Sequence, residues 1–281
     1  MPIGAKTAAV IGAGISGLTC ARLLQDAGMD VCVFEKSRGT GGRLATRRAT
    51  DGFAFDHGTQ YFTVRDARFE RWCNEWQDHG AVAPWEGRVV TLTEGKVEPK
   101  QNETLRYAGV PGMSAVCKQL ATGIDIQFQT RVAPPTMQNG AWRLQDEDGR
   151  ELGHFHYVIA SAPAPQTADL LAAVPELQQA ARNVEMSGCW AVMLGFRSPL
   201  DLPFDGAFVH ESSLSWIARN SSKPNRDRSN ESWVLHASPT WTDQHIDDDS
   251  ERVLPQLLDA FWLSPTKCCG TQVRLAVDFN C

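Results

Sequence analysis

The N-terminal segment contains two apolar runs that flank an amphipathic stretch. Residues 8–11 are apolar and lead into the glycine-rich turn 12–17, after which apolar side chains recur at helical spacing over residues 18–27. A second apolar run, residues 31–34, ends in Glu35. This order predicts a strand, a helix and a second strand that pairs with the first, as in a parallel βαβ unit.

The turn between the first strand and the helix is Gly-x-Gly-x-x-Gly, with Gly12, Gly14 and Gly17 at its three fixed positions. Gly12 permits a tight turn, Gly14 lets a pyrophosphate approach the backbone, and Gly17 lets the helix pack on the strand. The N–H groups of the first helical turn, Ile15 and Ser16, favour an anion. Glu35 lies at the spacing expected for the acid that binds a ribose diol. The segment therefore predicts dinucleotide binding.

Farther along the chain, short apolar strands replace this pattern. Helical spacing predicts helices at 66–77, 114–120, 168–182 and 247–262, and apolar runs or alternation predict strands at 89–92, 96–97, 124–132, 142–144, 157–160, 191–196, 207–210, 214–218 and 233–237. We expect the strand at 157–160 to rejoin the parallel sheet. Strands in series after a βαβ start predict a mainly antiparallel domain beside a doubly wound one.

These elements predict an α/β fold with two interleaved domains. We assign residues 1–66 and 98–166 to the dinucleotide-binding domain, and 67–97 and 167–262 to a substrate domain. The polar segment 220–230 is expected to be a loop.

The residues after Glu35 indicate which dinucleotide is bound. A carboxylate at this position disfavours the 2′-phosphate of NADP. A nicotinamide enzyme usually continues into a helix, whereas this chain continues with Lys36 and a glycine-rich loop that ends in Gly42 and Arg43. An arginine in such a loop can bind phosphate oxygens in a bidentate manner.

With its Gly-Gly-Arg at 41–43 and its Asp-x-Gly turn at 56–58, the chain resembles the flavin-dependent amine oxidase superfamily. The segments 56–63, 109–114, 160–166 and 216–224 more closely resemble renalase-like FAD-dependent oxidoreductases, and the resemblance extends to about Trp262. It implies a Rossmann-type FAD-binding domain interleaved with a mainly antiparallel α+β substrate domain, as in amine oxidases and p-hydroxybenzoate hydroxylase.

The resemblance also implies a reaction. Renalase-like enzymes oxidise 2- or 6-dihydronicotinamide isomers of NAD(P)H to NAD(P)⁺ by hydride transfer to flavin N5, and O₂ is reduced to H₂O₂. A flavin-containing amine oxidase or desaturase is an alternative. Amine oxidase pockets usually have an aromatic cage and often a lysine that orders a water, and no residue of the sequence marks either feature. A non-catalytic remnant of the fold is a third interpretation.

The resemblance implies roles for residues at matching positions. Ser16 and its loop would contact the pyrophosphate of FAD, Glu35 the ribose and Arg43 the phosphates. Gln60 and Tyr61 would run along the flavin, and Val132 would lie at the adenine. At the substrate site, we expect Trp216 to stack on the nicotinamide and Arg219 to bind a phosphate. We expect His236 to lie beside them on the sheet over the flavin face.

Composition restricts the other functional classes. The chain of 281 residues has a net charge of −6 and no basic stripe, so nucleic-acid binding is not expected. No secretory signal or membrane-spanning stretch is visible, which predicts a cytoplasmic protein. The eight cysteines are scattered without a Cys-x-x-Cys pair, as expected of reduced thiols. His154 and His156 share one face of a strand, and we expect them to be solvated rather than to bind a metal.

The chain departs from the family pattern near its end. The resemblance implies a final Gly-Asp segment and a helix, and residues 263–281 contain neither. Our hypothesis is a truncated or frame-shifted terminus. It predicts weaker retention of FAD and a gap in the sheet where a packing partner would be missing.

Overall fold

A computed structural model describes residues 6–49, 52–99, 104–263 and 273–280 of the chain. The strands are β1 (Thr7–Ile11), β2 (Asp30–Phe34), β3 (Arg47–Arg48), β4 (Ala54–Phe55), β5 (Val82–Pro84), β6 (Val89–Thr93), β7 (Lys96–Pro99), β8 (Tyr107–Gly109), β9 (Asp125–Gln127), β10 (Thr136–Gln138), β11 (Ala141–Gln145), β12 (Glu151–Phe155), β13 (Tyr157–Ala160), β14 (Cys189–Phe196), β15 (Gly206–His210), β16 (Leu214–Arg219), β17 (Glu231–Ala237) and β18 (Val273–Asn280). The helices are α1 (Ile15–Asp26), α2 (Ala67–Asp78), α3 (Ser114–Leu120), α4 (Ala164–Leu170), α5 (Pro175–Arg182), α6 (Pro239–Gln244) and α7 (Ser250–Leu263).

The chain divides into two compact units. The first comprises Met1–Leu44 and Val116–Met186, and the second comprises Ala45–Ala115 and Ser187–Cys281. This mixed α/β architecture, with a parallel and a mainly antiparallel sheet, is the fold class that the sequence predicts.

The first unit is built on a parallel sheet in the order β13-β1-β2-β9. Val10 at the centre of β1 pairs in register with Val33 of β2 and Ile159 of β13, so the strand at 157–160 rejoins the parallel sheet as predicted. A smaller antiparallel sheet, β10-β11-β12, packs against it through a core that includes Phe34 and Leu144. Because β1 and β2 carry apolar side chains on both faces, they form the buried centre of the unit.

Two predicted elements of the first unit are wrong in extent. The continuous helix expected at 168–182 is divided into α4 and α5, because Pro175 occupies the first turn of α5 and cannot continue a helix from the residues before it. The strand expected at 124–132 ends with β9, and Gln129 adopts a left-handed φ of 52° that breaks the extended backbone.

The second unit is built on a seven-stranded sheet in the order β18-β14-β17-β16-β15-β6-β7. The helix α7 covers one face of this sheet through Val253, Leu257 and Phe261, which are fully buried in the same core cluster as Trp233. Their spacing of four residues places them on one side of the helix. This apolar packing supports the strands that carry the predicted substrate residues.

The expected gap in the sheet is absent beside β14. β18 pairs antiparallel with β14 along its whole length, from Cys189 opposite Asn280 to Phe196 opposite Val273. Backbone hydrogen bonds therefore satisfy that edge of the sheet. The remainder of the tail, including Cys268, Cys269 and Cys281, lies outside the described residues.

The chain passes from one unit to the other at residues that differ from the predicted domain boundaries. Residues 167–186, expected in the substrate domain, belong to the first unit. From the sequence we expected 45–66 and 98–115 in the dinucleotide domain, but the structure groups both with the seven-stranded sheet. Phe53 and Phe55 of the first segment form a core cluster with Met193 and Val234 of that sheet. Such long-range packing leaves no local trace in the sequence.

Five described cysteines, Cys20, Cys32, Cys73, Cys117 and Cys189, are free thiols. Burial raises the pKa of Cys32 and of Cys117 to about 12, which keeps both protonated and unreactive. Within the described ranges, no helix is long and apolar enough to span a bilayer.

Candidate functional site

The N-terminus of α1 offers unpaired backbone donors. Gly14 is the N-cap residue and has no side chain to cap the helix, and the first hydrogen bond of the helix runs from the Leu18 N–H to the Gly14 carbonyl at 3.0 Å. The N–H groups of Ile15, Ser16 and Gly17 therefore precede the helical hydrogen-bond ladder. Their dipoles add to that of the helix, and together they form a binding position for a phosphate.

The three glycines of the turn have different physical roles. Gly12 adopts a φ of 111°, and a Cβ on Gly17 would lie 2.0 Å from the Gly12 carbonyl oxygen, so these two positions require glycine for the fold itself. A Cβ on Gly14 would meet nothing within 4 Å. Glycine at position 14 thus leaves open space beside the helix N-terminus, which is the fit that a pyrophosphate requires.

Glu35 follows β2 directly, lies beside this turn and is nearly buried. Its Oε2 accepts the Ala13 N–H and its Oε1 accepts the Ser37 N–H, each at 2.8 Å. These bonds fix the carboxylate, which as an ionised group has about four acceptor positions. The remaining acceptor positions fit the hydroxyls of a ribose.

The loop after Glu35 packs against the same turn. The Gly41 N–H donates to the Ala13 carbonyl at 3.0 Å, and a Cβ on Gly42 would lie 3.5 Å from the Gly14 Cα. Lys36 and Arg43 are exposed at its two ends. The first unit therefore brings the glycine turn, Glu35 and the loop to Arg43 together, and this arrangement fits the ADP half of FAD.

Val132 and Gln60 have structural contacts of their own. Val132 is a buried member of the core with Phe34. The Gln60 side chain is buried in the second unit, where its Nε2 donates to the Asp56 carbonyl and its Oε1 accepts the Lys223 ammonium at 3.1 Å. Their contacts with FAD stay predictions.

The second unit contains a buried group of charges that the sequence analysis missed. Asp56 and Lys223 are both fully buried and their charged atoms lie 3.1 Å apart, and Arg226 lies 2.6 Å from the same carboxylate oxygen. The other carboxylate oxygen accepts the Thr46 hydroxyl at 2.8 Å and the Met113 N–H at 2.9 Å. We call Asp56, Lys223 and Arg226 the Asp56 cluster.

The charges of the Asp56 cluster shift one another's titration. Burial alone would raise the pKa of Asp56, but the two cations and the Met113 N–H outweigh it and lower the pKa to about 2. Burial lowers the pKa of Lys223 to about 8, against the opposing attraction of Asp56. Lysine is almost never fully buried without such a partner.

Tyr61 and Trp216 lie in an aromatic cluster of the second unit. Their ring centres are 5.4 Å apart, and the Trp85 ring lies 6.0 Å from Tyr61 and 6.5 Å from Trp216. Trp216 is nearly buried, and its Nε1 has no hydrogen-bond partner among the residues that the structure describes. The three rings, with Tyr61 at the centre, are called the Tyr61 cluster.

His236 lies directly opposite Trp216 in the pairing of β16 with β17. Its Nε2 hydrogen-bonds to the His57 carbonyl at 2.8 Å, and since a carbonyl only accepts, Nε2 carries the proton. Desolvation lowers the pKa of His236 to about 4, so the ring is neutral near neutral pH. A direct role of His236 toward a substrate stays a prediction.

Arg219 is engaged by the protein itself. Its guanidinium lies 3.2 Å from the Glu231 carboxylate, 3.5 Å from that of Asp205, and 5.0 Å from the centre of the Trp233 ring. It also donates to the carbonyl of Leu202 at 3.1 Å. These contacts favour a role in holding the loop between β14 and β15, and phosphate binding by Arg219 stays a prediction.

A cleft of about 590 Å³ opens on the second unit beside these residues. Its walls combine Trp85 of the Tyr61 cluster with arginines, carboxylates and small polar side chains, among them Glu86, Asp205, Arg219, Ser221, Arg228 and Glu231. A volume of this size is typical of a small-molecule site.

Comparison with known proteins agrees with this geometry. A profile described as an NAD(P)-binding Rossmann-like domain matches residues 10–76, and one described as flavin containing amine oxidoreductase matches residues 91–261. Solved structures show the same fold, including an oxidoreductase from Methanosarcina mazei (TM-score 0.69, 16% identity, 97% of this chain and 88% of that one) and putrescine oxidase bound to putrescine (TM-score 0.70, 13% identity, 95% and 84%).

Curated relatives match over different extents. A carotenoid 3,4-desaturase from Haloarcula japonica is 48% identical over 62 residues, which are 22% of this chain and 12% of that protein. A bifunctional protein of tRNA 5-methylaminomethyl-2-thiouridine biosynthesis from Magnetococcus marinus is 25% identical over 97% of this chain and 46% of its own length. The chain thus spans less than half the length of these relatives. Since the second profile covers more than half of the chain and the α1 turn fits the ADP half of FAD, the protein belongs to the flavin containing amine oxidoreductase family.

Proposed function

We propose that the protein is a renalase-like FAD-dependent oxidase that converts 2- or 6-dihydronicotinamide isomers of NAD(P)H to NAD(P)⁺. FAD, when bound, supplies the chemistry: it accepts a hydride at N5 and passes both electrons to O₂, which with a proton gives H₂O₂. In this proposal the first unit binds the ADP half of FAD and the second unit binds the substrate. The free thiols are typical of a reducing compartment, and we propose a cytoplasmic location.

The observation that carries the proposal is the Tyr61 cluster beside the cleft. Trp85 lines the cleft and packs against Tyr61 and Trp216 behind it, so the cluster gives the cleft an aromatic wall for a planar dihydropyridine. An offset contact with an aromatic ring contributes about 0.5–1.5 kcal/mol beyond burial. The same cleft carries Arg228, whose exposed guanidinium suits a phosphate. An aromatic surface next to a polar, arginine-bearing cleft fits a ring that is linked to a phosphorylated ribose.

The protonation states of the second unit also fit hydride transfer. Loss of a hydride converts an N-substituted dihydropyridine directly into the pyridinium, so no base has to remove a proton from the substrate. His236 is neutral and Lys223 is bound to Asp56, and neither is placed as an isolated base. The protein then acts by orienting the substrate, which can lower a barrier by about 7–11 kcal/mol in well-placed cases.

A second candidate is an amine oxidase. The aromatic cluster and the buried Lys223 are features that the sequence did not mark and that amine oxidase pockets usually have. Glu86, Asp205 and Glu231 also place negative charge along the cleft, which would attract a cationic amine. An amine oxidase would take a cationic substrate, whereas the renalase-like oxidase would take an anionic, phosphorylated one.

Anaerobic rapid mixing separates the two candidates. The FAD-loaded protein is mixed with 2-dihydro-NAD, 6-dihydro-NAD, ordinary NADH and a panel of amines that includes putrescine, and the visible flavin absorbance is followed. Fast bleaching by one dihydro isomer, with slow bleaching by NADH, supports the proposal, and fast bleaching by an amine supports the alternative. Trp216→Leu should slow the bleaching, whereas Trp72→Leu on α2 serves as the matched control and should leave it unchanged.

A further inference from the structure

Arg106 lies in the second unit immediately before β8, and its backbone is held from two sides. Its carbonyl oxygen accepts the Trp85 N–H at 2.8 Å, and the next residue, Tyr107, exchanges backbone hydrogen bonds with Phe62 at 3.0 and 2.9 Å. The position of Arg106 is therefore determined by the strand pairing around it.

The guanidinium of Arg106 is only partly used by the protein. Nη1 donates to the Thr104 carbonyl at 3.2 Å, and the central carbon lies 5.2 Å from the centre of the Tyr61 ring. Nε is shielded from solvent and has no hydrogen-bond partner in the described part of the chain. No described residue accepts a hydrogen bond from Nη2 either, and no carboxylate within the described ranges pairs with this cation.

The unpaired donors of Arg106 share one edge. The N–H of Nε and one N–H of Nη2 point in parallel from a planar guanidinium, and this edge fits the two oxygens of a phosphate or carboxylate. The cation–π contact with Tyr61 uses the face of the guanidinium and leaves the edge free. A shielded Nε–H donor without an acceptor is costly, and an oxyanion bound at this edge would supply the acceptor.

The surroundings of this edge indicate what kind of molecule carries the oxyanion. The Tyr61 ring that contacts Arg106 is the centre of the Tyr61 cluster, and Trp216 of that cluster also has an unpaired donor, Nε1. We infer that Arg106 and Tyr61 form an oxyanion subsite that holds the phosphate of the nicotinamide half of the substrate. The inference rests on the proposed function for the identity of the ligand, and on the contacts of Arg106 for the site.

The test is a binding measurement that needs no turnover. Nicotinamide mononucleotide and nicotinamide riboside differ only in the phosphate, and their dissociation constants are measured on the FAD-loaded protein by quenching of tryptophan fluorescence. The wild-type protein should bind the mononucleotide at least about tenfold more tightly than the riboside. Arg106→Gln should remove this difference and Arg106→Lys should keep part of it, because lysine retains the charge and lacks the fork.

Arg68→Gln is the matched control, because Arg68 is an exposed arginine of the same unit that pairs with Asp66. It should keep the full preference for the mononucleotide. Equal affinity for the two ligands in the wild-type protein would overturn the inference, and so would a preference that survives in Arg106→Gln. Benzoate that displaces the mononucleotide from the wild-type protein supports an oxyanion edge. A phosphate preference without oxidation of any dihydro isomer would support the subsite and contradict the proposed function.

Discussion

Replacing Gly14 by alanine separates the needs of a bound dinucleotide from those of the fold. Gly14 has φ −80° and ψ 176°, an extended conformation that alanine adopts freely, and a Cβ there meets nothing within 4 Å. Gly14→Ala should therefore leave the apo protein as stable as before or stabilise it by about 0.4–1 kcal/mol, because alanine restricts the unfolded chain.

The added methyl group would occupy the space beside the N–H groups of Ile15, Ser16 and Gly17. A hydrogen bond from such a donor to a charged phosphate contributes about 1.5–3 kcal/mol. Losing one of them would raise the dissociation constant of FAD by about 10- to 150-fold. Gly17→Ala should act differently, because its Cβ would lie 2.0 Å from the Gly12 carbonyl oxygen and would displace the backbone. That variant should lose stability even without FAD.

The assay combines thermal unfolding of the apo proteins with titration of FAD, followed by the change in flavin fluorescence. Gly14→Ala should keep the wild-type melting temperature and bind FAD weakly, and Gly17→Ala should melt earlier. If Gly14→Ala bound FAD with unchanged affinity, the open space at Gly14 would not be the pyrophosphate position and the reasoning would fail.

Three further predictions concern the buried titratable groups. Asp56→Asn should lower the free energy of unfolding by about 3–5 kcal/mol in urea titrations, because it leaves Lys223 and Arg226 without their shared carboxylate; an effect below about 1 kcal/mol would contradict the described burial. Lys223 keeps a pKa near 10.5 when unfolded and about 8 when folded, so the unfolded chain binds more protons between these values. The stability of the wild type relative to Lys223→Met should then rise by about 3 kcal/mol as the pH increases through this interval, and a constant difference would refute it. His236 titrates near 6.5 when unfolded and about 4 when folded. Stability should therefore fall as the pH decreases from 6.5 to 4, and His236→Gln should weaken this slope.

The sequence predicts the nucleotide-binding elements well, because each rests on local physical requirements. The apolar runs of β1 and β2, the glycines of the turn and the acid at Glu35 are neighbours in the chain and in space. Their pairing as a parallel βαβ unit follows from the period of the pattern alone. The extents of α4 and α5 could also have been predicted, since Pro175 marks the break.

The Asp56 cluster could not be found in this way. Asp56 and Lys223 are 167 residues apart in the chain, and Lys223 lies in a polar segment that local composition assigns to a solvated loop. These charges become buried only when the second unit folds. Their contacts also explain why residues 45–66 group with the seven-stranded sheet. The pairing of β18 with β14 is likewise non-local and overrides the weak pattern of the tail.

The central claim is that the α1 turn holds FAD rather than a diffusible nicotinamide cofactor. Its most direct test is the flavin content of the purified protein after dialysis against FAD and removal of the excess. We expect a protein that turns yellow on reconstitution with FAD and does not saturate with NAD⁺. A colourless protein that refuses reconstitution with FAD and yet saturates with NAD⁺ would contradict it.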